Sequence, residues 1–447
     1  MAKYRRYVRN NTDRFQPHQF ALMGLGIISF LQISSLYISS QFYQFEMFIK
    51  FIPAFISFTI LLTLPQFLFV ILILATYFNR EKVKEIELPQ MNSDQTKLAI
   101  KIKKLFTPKQ IIDVLNLANS TRYGYEMPNI EVWLNESLTS GSIYIENIGN
   151  FQVLDKDKFH QKLSGILNGE FQNFSVISSN LVKGDNYMNY HFEDTVNSNR
   201  FIVTPGKFKE FVSENPHQIK LSKDLIWNTD LTPHLSCIAR TRSGKSILMG
   251  GYISEIMVKQ GWYVEYHSVK IDKYVKKFNG CFLPESIVKR AEYWCDQMDK
   301  RLKIISTNNK DSYLEMKNMK IIGVFFDEIG NLNAQLEGNR ELKKRWESSI
   351  NRLTATGGSC GIHIIAISQF GTKEAFLPST ARANCSDAVI MLGSAADSAI
   401  ERQYLMPGFA EMPTRNYGIG EGLARFNSSG DKWMSPHHFE APWLDED

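Results

Sequence analysis

Two long apolar runs open the chain: Phe20 to Ser40 carries no charge, Gln41 to Lys50 is mixed, and Phe51 to Phe78 is apolar and uncharged again. A helix needs about 20 apolar residues to cross a bilayer, so each run is long enough to span one. The pattern predicts a helical hairpin in a membrane over 20–78. The competing reading is a signal peptide followed by a buried core helix. Against it stand the length of the second run and the lack of a small-residue cleavage pattern after the first. Pro53 and Pro65 fall in the second run, where neighbouring helices and side chains can satisfy the carbonyls a kink sets free.

Between Asn79 and about Gln218 the periodicity switches repeatedly. Ile130 to Leu134 and Ser142 to Glu146 have the character of strands, and Pro108 to Leu117 and Lys156 to Leu167 that of helices. These predict a small α+β membrane-proximal domain over 79–218, with no catalytic constellation and a spacer or oligomerisation role by default. Asn197-Ser198-Asn199 and Asn308-Asn309 read as loops. From 219 to 447 short apolar runs of strand length alternate with amphipathic helical patterns. Ile321 to Phe326 is one such run and Gly361 to Ile367 another. Between them Leu342, Trp346, Ile350 and Leu353 recur at steps of three and four, which gives a helix one apolar face. Strand, helix, strand in that order is a βαβ unit, so this part is expected to be α/β, a parallel sheet flanked by helices.

Composition narrows this only slightly. At 447 residues and 44% hydrophobic content the chain can supply two or three domains and the spans, and it is not disordered. A net charge of +5 says little, but its placement says more. Lys3, Arg5, Arg6, Arg9 and Arg14 precede the first span and Arg80, Lys82 and Lys84 follow the second, while the connecting loop sets only Lys50 against Glu46. By the positive-inside rule both ends are expected to be cytoplasmic, with two passes through the cytoplasmic membrane between them. The basic tail, 1–19, is accounted for by topology and anionic lipid without a nucleic-acid role. The five cysteines are scattered, with no Cys-x-x-Cys and no histidine at metal spacing, which fits a reduced cytosolic catalytic part. His437-His438, in a polar terminus, reads as a solvated pair rather than a metal tail.

The chemistry concentrates in Ile238-Ala239-Arg240-Thr241-Arg242-Ser243-Gly244-Lys245-Ser246, set between an apolar run and a helix-like run. Ala239 through Ser246 have the spacing of a phosphate-binding loop. In such a loop backbone N–H groups wrap the phosphates, the lysine reaches the outer ones and the serine hydroxyl ligates Mg²⁺, all at a helix N-terminus whose dipole favours anions. Ala239 stands where the first glycine is usual, and Arg242 where a small residue is common. The expected ligands are therefore ATP and Mg²⁺.

Two further elements complete the constellation. The apolar strand from Ile321 ends in Asp327-Glu328, where Asp327 can hold Mg²⁺ through water and Glu328 can polarise the water that attacks the γ-phosphate. An acidic helix N-cap is the plainer reading of that pair. The strand from Gly361 ends in Ser368-Gln369, and the Gln369 amide can sense the γ-phosphate or orient the water, or simply bond to backbone.

These residues resemble the FtsK/SpoIIIE family of membrane-anchored DNA-pumping ATPases over roughly Ile219 to Phe426. The likeness extends beyond the loop: Lys223-Asp224 with Pro233-His234-Leu235 resembles the family's approach to its nucleotide site, Met298-Asp299-Lys300-Arg301 its acidic-basic helix, and Gly361-Ile362-His363 with Gln369 its third motif. The resemblance implies a RecA-like motor domain over 219–447 that assembles as a homo-hexameric ring and drives DNA through its centre with ATP. It leaves the arginine finger open. Gly357-Gly358-Ser359-Cys360 lacks the family's usual arginine, and Arg382 and Arg402 are the candidates that remain. Two spans, and no sequence-reading module after the motor, make the layout similar to the FtsK-type coupling proteins of Gram-positive conjugative elements. That layout implies a relaxase or relaxosome and a type IV secretion-like channel as partners.

For DNA itself the residues offer two basic groups, Lys270, Lys273, Lys276 and Lys277, and Arg340, Lys343, Lys344 and Arg345. Either can face backbone phosphates without sequence preference, and either can be a solvated helix face. No aromatic platform or base-reading motif accompanies them. The rival functions are a chromosome or plasmid segregation translocase, a protein-secretion motor, and a nucleotide-binding membrane scaffold that scarcely hydrolyses.

Overall fold

The computed structural model describes residues 7–8, 17–78, 86–121, 124–148, 159–171, 173–196, 198–204, 206–410, 412 and 415–445. The basic residues used to orient the hairpin, at 3–14 and 80–84, lie outside the described residues, as does Asn197. Contacts divide the chain into two compact units, one of residues 1–138, 142–159 and 181–189, the other of 139–141, 160–180 and 190–447.

In the first unit a helix over Pro17–Phe42 packs against helices over Ile52–Leu61 and Thr63–Phe78. The two apolar stretches Phe20–Phe42 and Glu46–Ala75 are each long and apolar enough to cross a membrane. Their outward faces carry large exposed apolar side chains, such as Phe30, Ile33, Leu61 and Phe67. The inward seam is polar. Gln32 Nε2 donates to the Thr59 carbonyl at 3.1 Å, Ser35 Oγ to the Phe55 carbonyl at 3.2 Å, Thr59 Oγ1 to Ser35 Oγ at 3.1 Å and Gln66 Nε2 to Ser29 Oγ at 3.2 Å. Gln66 Nε2 also donates to Gln32 Oε1. Side-chain hydrogen bonds of this kind hold helices together where no hydrophobic force acts between them. After the hairpin, Ser93–Lys104 starts on a capping box in which Asn92 and Gln95 satisfy each other's backbone donors.

The second unit is built on a seven-stranded sheet, its strands numbered here in chain order: β1 Leu235–Ala239, β2 Tyr263–Ser268, β3 Ile322–Asp327, β4 Ile362–Ser368, β5 Ala388–Leu392, β6 Glu421–Phe426 and β7 His437–Glu440. Their spatial order is β2-β3-β4-β1-β5-β6-β7. β1 to β5 are mutually parallel and β6 and β7 antiparallel. The parallel strands are uninterrupted apolar runs because both faces are covered. On β3 Val324 and Phe326 enter one core with Trp294, Met298, Trp346, Ile350 and Leu353, while Phe325 enters the opposite core with Tyr252, Ile256 and Trp262. The helix Arg340–Thr356 buries Leu342, Trp346, Ile350 and Leu353, the face its periodicity prescribes. Fully burying one such side chain contributes about 1.5–3 kcal/mol.

Two features depart from the sequence reading. The helix expected after the phosphate loop begins as a π-helix over Ile247–Ile253 before turning α at Ser254. Gly250 and Gly251 lie directly against the Tyr274 ring, so the wide turn passes where no side chain fits. His437, expected in solvent, is 1% exposed, with Nδ1 3.3 Å from Glu193 Oε2. Burial lowers its pKa, the Glu193 carboxylate opposing the shift.

Candidate nucleotide site

The loop that leaves β1 crosses the C-terminal edge of the parallel strands, where the dipoles and free N–H groups of the following turn gather. Its conformation is strained at one residue: Arg242 has φ 67°, the left-handed region that favours glycine, which explains why a small residue suits this place. Gly244 has φ 92°, and a Cβ there would stand 3.2 Å from Gly420 Cα, so only glycine admits the close approach of the turn before β6. The Gly420 N–H donates to the Ser243 carbonyl at 3.0 Å and fastens that turn to the loop.

Lys245 comes off the loop into a buried acidic cleft. Its Nζ is 2.9 Å from Asp327 Oδ1 and 2.8 Å from Glu328 Oε1. Burial works against the ammonium, yet the two carboxylates outweigh it and its pKa rises. Asp327 is fixed from two sides, by the Tyr266 hydroxyl at 2.8 Å on Oδ2 and the Glu328 N–H at 2.7 Å on Oδ1. Burial and the neighbouring Asp327 charge push the Tyr266 phenol well above its ordinary pKa, so it stays a donor. Glu328 adopts φ 57°, a left-handed conformation costly for a residue with a side chain and common where function imposes it. Gln369, just past β4, donates its amide to Glu328 Oε2 at 3.0 Å. The structure thus brings Lys245, Asp327, Glu328 and Gln369 into one hydrogen-bonded cluster. Because β4 lies between β1 and β3, Gln369 at its end reaches the other oxygen of the carboxylate that Lys245 contacts.

Arg240 behaves differently from the rest of the loop. Its guanidinium turns from the phosphate side to a bidentate pair with Glu401, at 3.0 and 2.8 Å, and donates to the Gln369 carbonyl. Glu401 is buried on the helix Ala399–Leu405, and its Oε1 accepts the Gly371 N–H at 2.8 Å. Only the backbone of Arg240 remains available to phosphate. Thr241 and Arg242 are exposed at the loop's tip, and Ser246 is half-buried where the helix starts.

Neither candidate arginine projects from the subunit. Arg382 is 8% exposed and lies over the Tyr404 ring, 4.8 Å from its centroid. Arg402 is 2% exposed and bonds the Ala396 and Ala410 carbonyls. Both are buried within the chain, and the structure gives neither a contact with the Lys245 cluster. The Pro233-His234-Leu235 motif lies at the N-terminal end of β1, the strand that leads into the loop. There His234 Nδ1 accepts the Ile364 N–H at 3.0 Å, and His363 Nδ1 lies 2.8 Å from the Pro233 carbonyl. Burial brings His234 down to about 4 and His363 to about 3, so both imidazoles are neutral struts joining β1 to β4. Of the basic groups, Lys270, Lys273, Lys276 and Lys277 are all exposed, with Lys277 paired to Glu255. Arg345 is held bidentately by Glu292 at 2.7 Å, leaving Arg340 and Lys344 exposed in the second group.

Sequence reasoning missed Tyr266 and Glu401. Tyr266 was visible as one of several polar residues in Tyr263-Val264-Glu265-Tyr266-His267-Ser268, a buried strand. Its neighbour Glu265 is held by Arg290, Trp294 and Tyr263, which overcome its burial and bring its pKa to about 2. Glu401 had no signal, since its partner lies across the fold.

Fold and site together define an α/β domain built on a largely parallel sheet, with a loop of phosphate-binding spacing at its C-terminal edge and two candidate membrane spans earlier in the chain. No protein-family model matches the sequence, and no curated protein matches it. Among solved structures the chain is similar to the pCW3 conjugation coupling protein TcpA, in monomer form with ATPγS, at 17% identity over 78% of this chain and 96% of that one, with a TM-score of 0.49. It is similar also to EssC (ATPases 2 and 3) from Geobacillus thermodenitrificans, at 12% identity, 55% and 47% coverage and a TM-score of 0.41. The cytoplasmic domain of the type VII secretion ATPase EccC from Thermomonospora curvata follows at 15% identity, 53% and 30% coverage and a TM-score of 0.39. The chain spans less than half the length of the latter two.

Proposed function

We propose that this chain is a membrane-anchored ATPase that hydrolyses ATP to move DNA, acting as a coupling protein that delivers a relaxase-bound strand to a conjugative, type IV secretion-like channel. The observation that carries the ATPase reading is the single cluster of Lys245, Asp327, Glu328 and Gln369 at the mouth of the loop. DNA as cargo, a homo-hexameric ring and the conjugative role rest on the FtsK/SpoIIIE resemblance and the two-span layout. In this reading residues 20–78 anchor the protein with both ends in the cytoplasm, 79–218 form the membrane-proximal domain and 219–447 the motor.

The roles follow from the chemistry of each group. Lys245 neutralises the outer phosphates and, in leaving the acids to do so, frees the carboxylates. Glu328 accepts the proton of the attacking water, and Gln369, bonded to it, holds the carboxylate's orientation. The Ser246 hydroxyl and the Asp327 carboxylate are hard oxygen donors of the kind Mg²⁺ prefers, and these two residues would hold it. Bound there, the ion supplies charge neutralisation for the phosphates.

The test uses the full chain in detergent, with ATP hydrolysis measured with and without single- and double-stranded DNA, beside Lys245→Ala. DNA-stimulated hydrolysis lost in Lys245→Ala is expected. Absence of hydrolysis in the assembled protein would sink the motor and leave the scaffold reading. Stimulation by a secreted protein but not by DNA would favour protein export. Loss of mating in a Lys245→Ala strain separates conjugation from segregation.

A further inference from the structure

The sheet order fixes which way a nucleotide lies. Its γ-phosphate end must face Lys245, Asp327 and Gln369, on the β4 and β3 side of β1. The base must therefore project to the other side, over β5 and β6. On that side lie an exposed turn and a partly exposed tryptophan. The turn Gly418-Ile419-Gly420 is pinned to the loop through Gly420 and Ser243, and Ile419 is 61% exposed. Behind it Arg200 donates from Nη2 to the Ile419 carbonyl at 3.3 Å, and its guanidinium carbon stands 5.4 Å from the centroid of the Trp443 ring. Trp443 is 46% exposed, with its backbone paired to Ile202 in a short parallel ladder. The next residue, Leu444, packs on Gly251 in the π-helical turn that follows the loop. The Trp443 side chain is thus held beside the loop, with a guanidinium near its ring and solvent access remaining.

We infer that Trp443 and Ile419, with Arg200 as support, form the purine-binding subsite of the nucleotide site, the indole stacking on the base of ATP. The inference rests on the phosphate-loop reading above. Stacking suits the place because every purine has a π-face and a cation near the indole favours it. The nearby carboxylates are already engaged: Glu421 accepts the Gly418 N–H, and Glu440 accepts from Ser198 and Asn199. Stacking acts on the face of the base, so both ATP and GTP are expected to use the subsite.

The experiment measures binding of ATP, GTP and inorganic tripolyphosphate to the full chain in detergent, for the wild type, Trp443→Ala, Trp443→Phe and Lys245→Ala. Trp443→Ala is expected to weaken ATP and GTP about tenfold, leave tripolyphosphate unchanged, and be largely rescued in Trp443→Phe. Lys245→Ala weakens all three. Equal loss of ATP and tripolyphosphate in Trp443→Ala marks a general disturbance of the loop and overturns the subsite. So does unchanged ATP binding in Trp443→Ala while Lys245→Ala still fails to bind, a result that leaves the phosphate loop standing. If Lys245→Ala binds all three as the wild type does, the phosphate-loop reading falls and the subsite with it.

Discussion

Arg240 ties the phosphate loop to the segment that carries Gln369, and its removal is the sharpest test of the site's construction. Glu401 has a side chain only 2% exposed and Arg240 one that is 28% exposed, so the pair is asymmetric: the carboxylate is buried, the cation half-wet. Breaking a fully buried pair from one side costs about 3–5 kcal/mol, and one solvated partner brings Arg240→Ala to about 3 kcal/mol. For a domain of this size that is a fall in Tm of roughly 6–12 °C. Glu401→Gln keeps an acceptor for the Gly371 N–H and loses only the charge, so it should cost less. In a double-mutant cycle the two changes should couple by about 2 kcal/mol, since each removes the other's partner. Urea unfolding of the full chain in detergent, followed by near-ultraviolet circular dichroism, measures stability, and a coupled assay measures ATP turnover. Because Arg240 also grips the Gln369 carbonyl, kcat should fall further than KM rises. An Arg240→Ala protein within 0.5 kcal/mol of wild type, or a cycle that is additive, would refute the reasoning.

Other expectations follow from single contacts. His234 and His363 have pKa values lowered to about 4 and about 3, below the 6.5 of an unfolded chain. The unfolded state then binds more protons in acid, and stability falls as pH drops from about 6.5. At pH 5 each costs roughly 2 kcal/mol, visible as a lower urea midpoint than at pH 7.5; a His234→Gln, His363→Gln double variant with an unchanged pH slope would count against this. Gly361 has φ 74°, and a Cβ there would lie 2.7 Å from the Tyr313 ring, so Gly361→Ala should destabilise by about 2 kcal/mol or more in the same assay. Of the cysteines only Cys281 is partly exposed, so a thiol reagent should label at most one cysteine quickly in the native protein; two or more would mean the core of the second unit is open.

The sequence disclosed what local pattern encodes. Strands such as Ile322–Asp327 and Ile362–Ser368 were legible because burial on both faces demands unbroken apolar runs, and Trp346 and Leu353 because helical period marks the buried face. Lys245, Asp327, Glu328 and Gln369 were legible because each ends a strand or begins a helix, where such chemistry must sit. What depends on cross-fold pairing was hidden. Nothing in the neighbours of Arg240 says it points to Glu401, 161 positions on, and nothing around Arg382 or Arg402 says they are buried. The π-helical turn was hidden too, because the Tyr274 ring against Gly250 comes from a later helix.

The ladder between Trp443 and Ile202 joins a segment that comes before β1 to one that comes after β7. A ribosome makes Ile202, the loop, the acids and Gln369 before Trp443, so this ladder cannot form until nearly the whole described chain has been made. Only then can Leu444 pack on Gly251 in the turn that follows the loop. Synthesis itself therefore sets a time before which this flank of the nascent domain is unformed, and proteolytic clipping near residue 440 would remove it from a mature one.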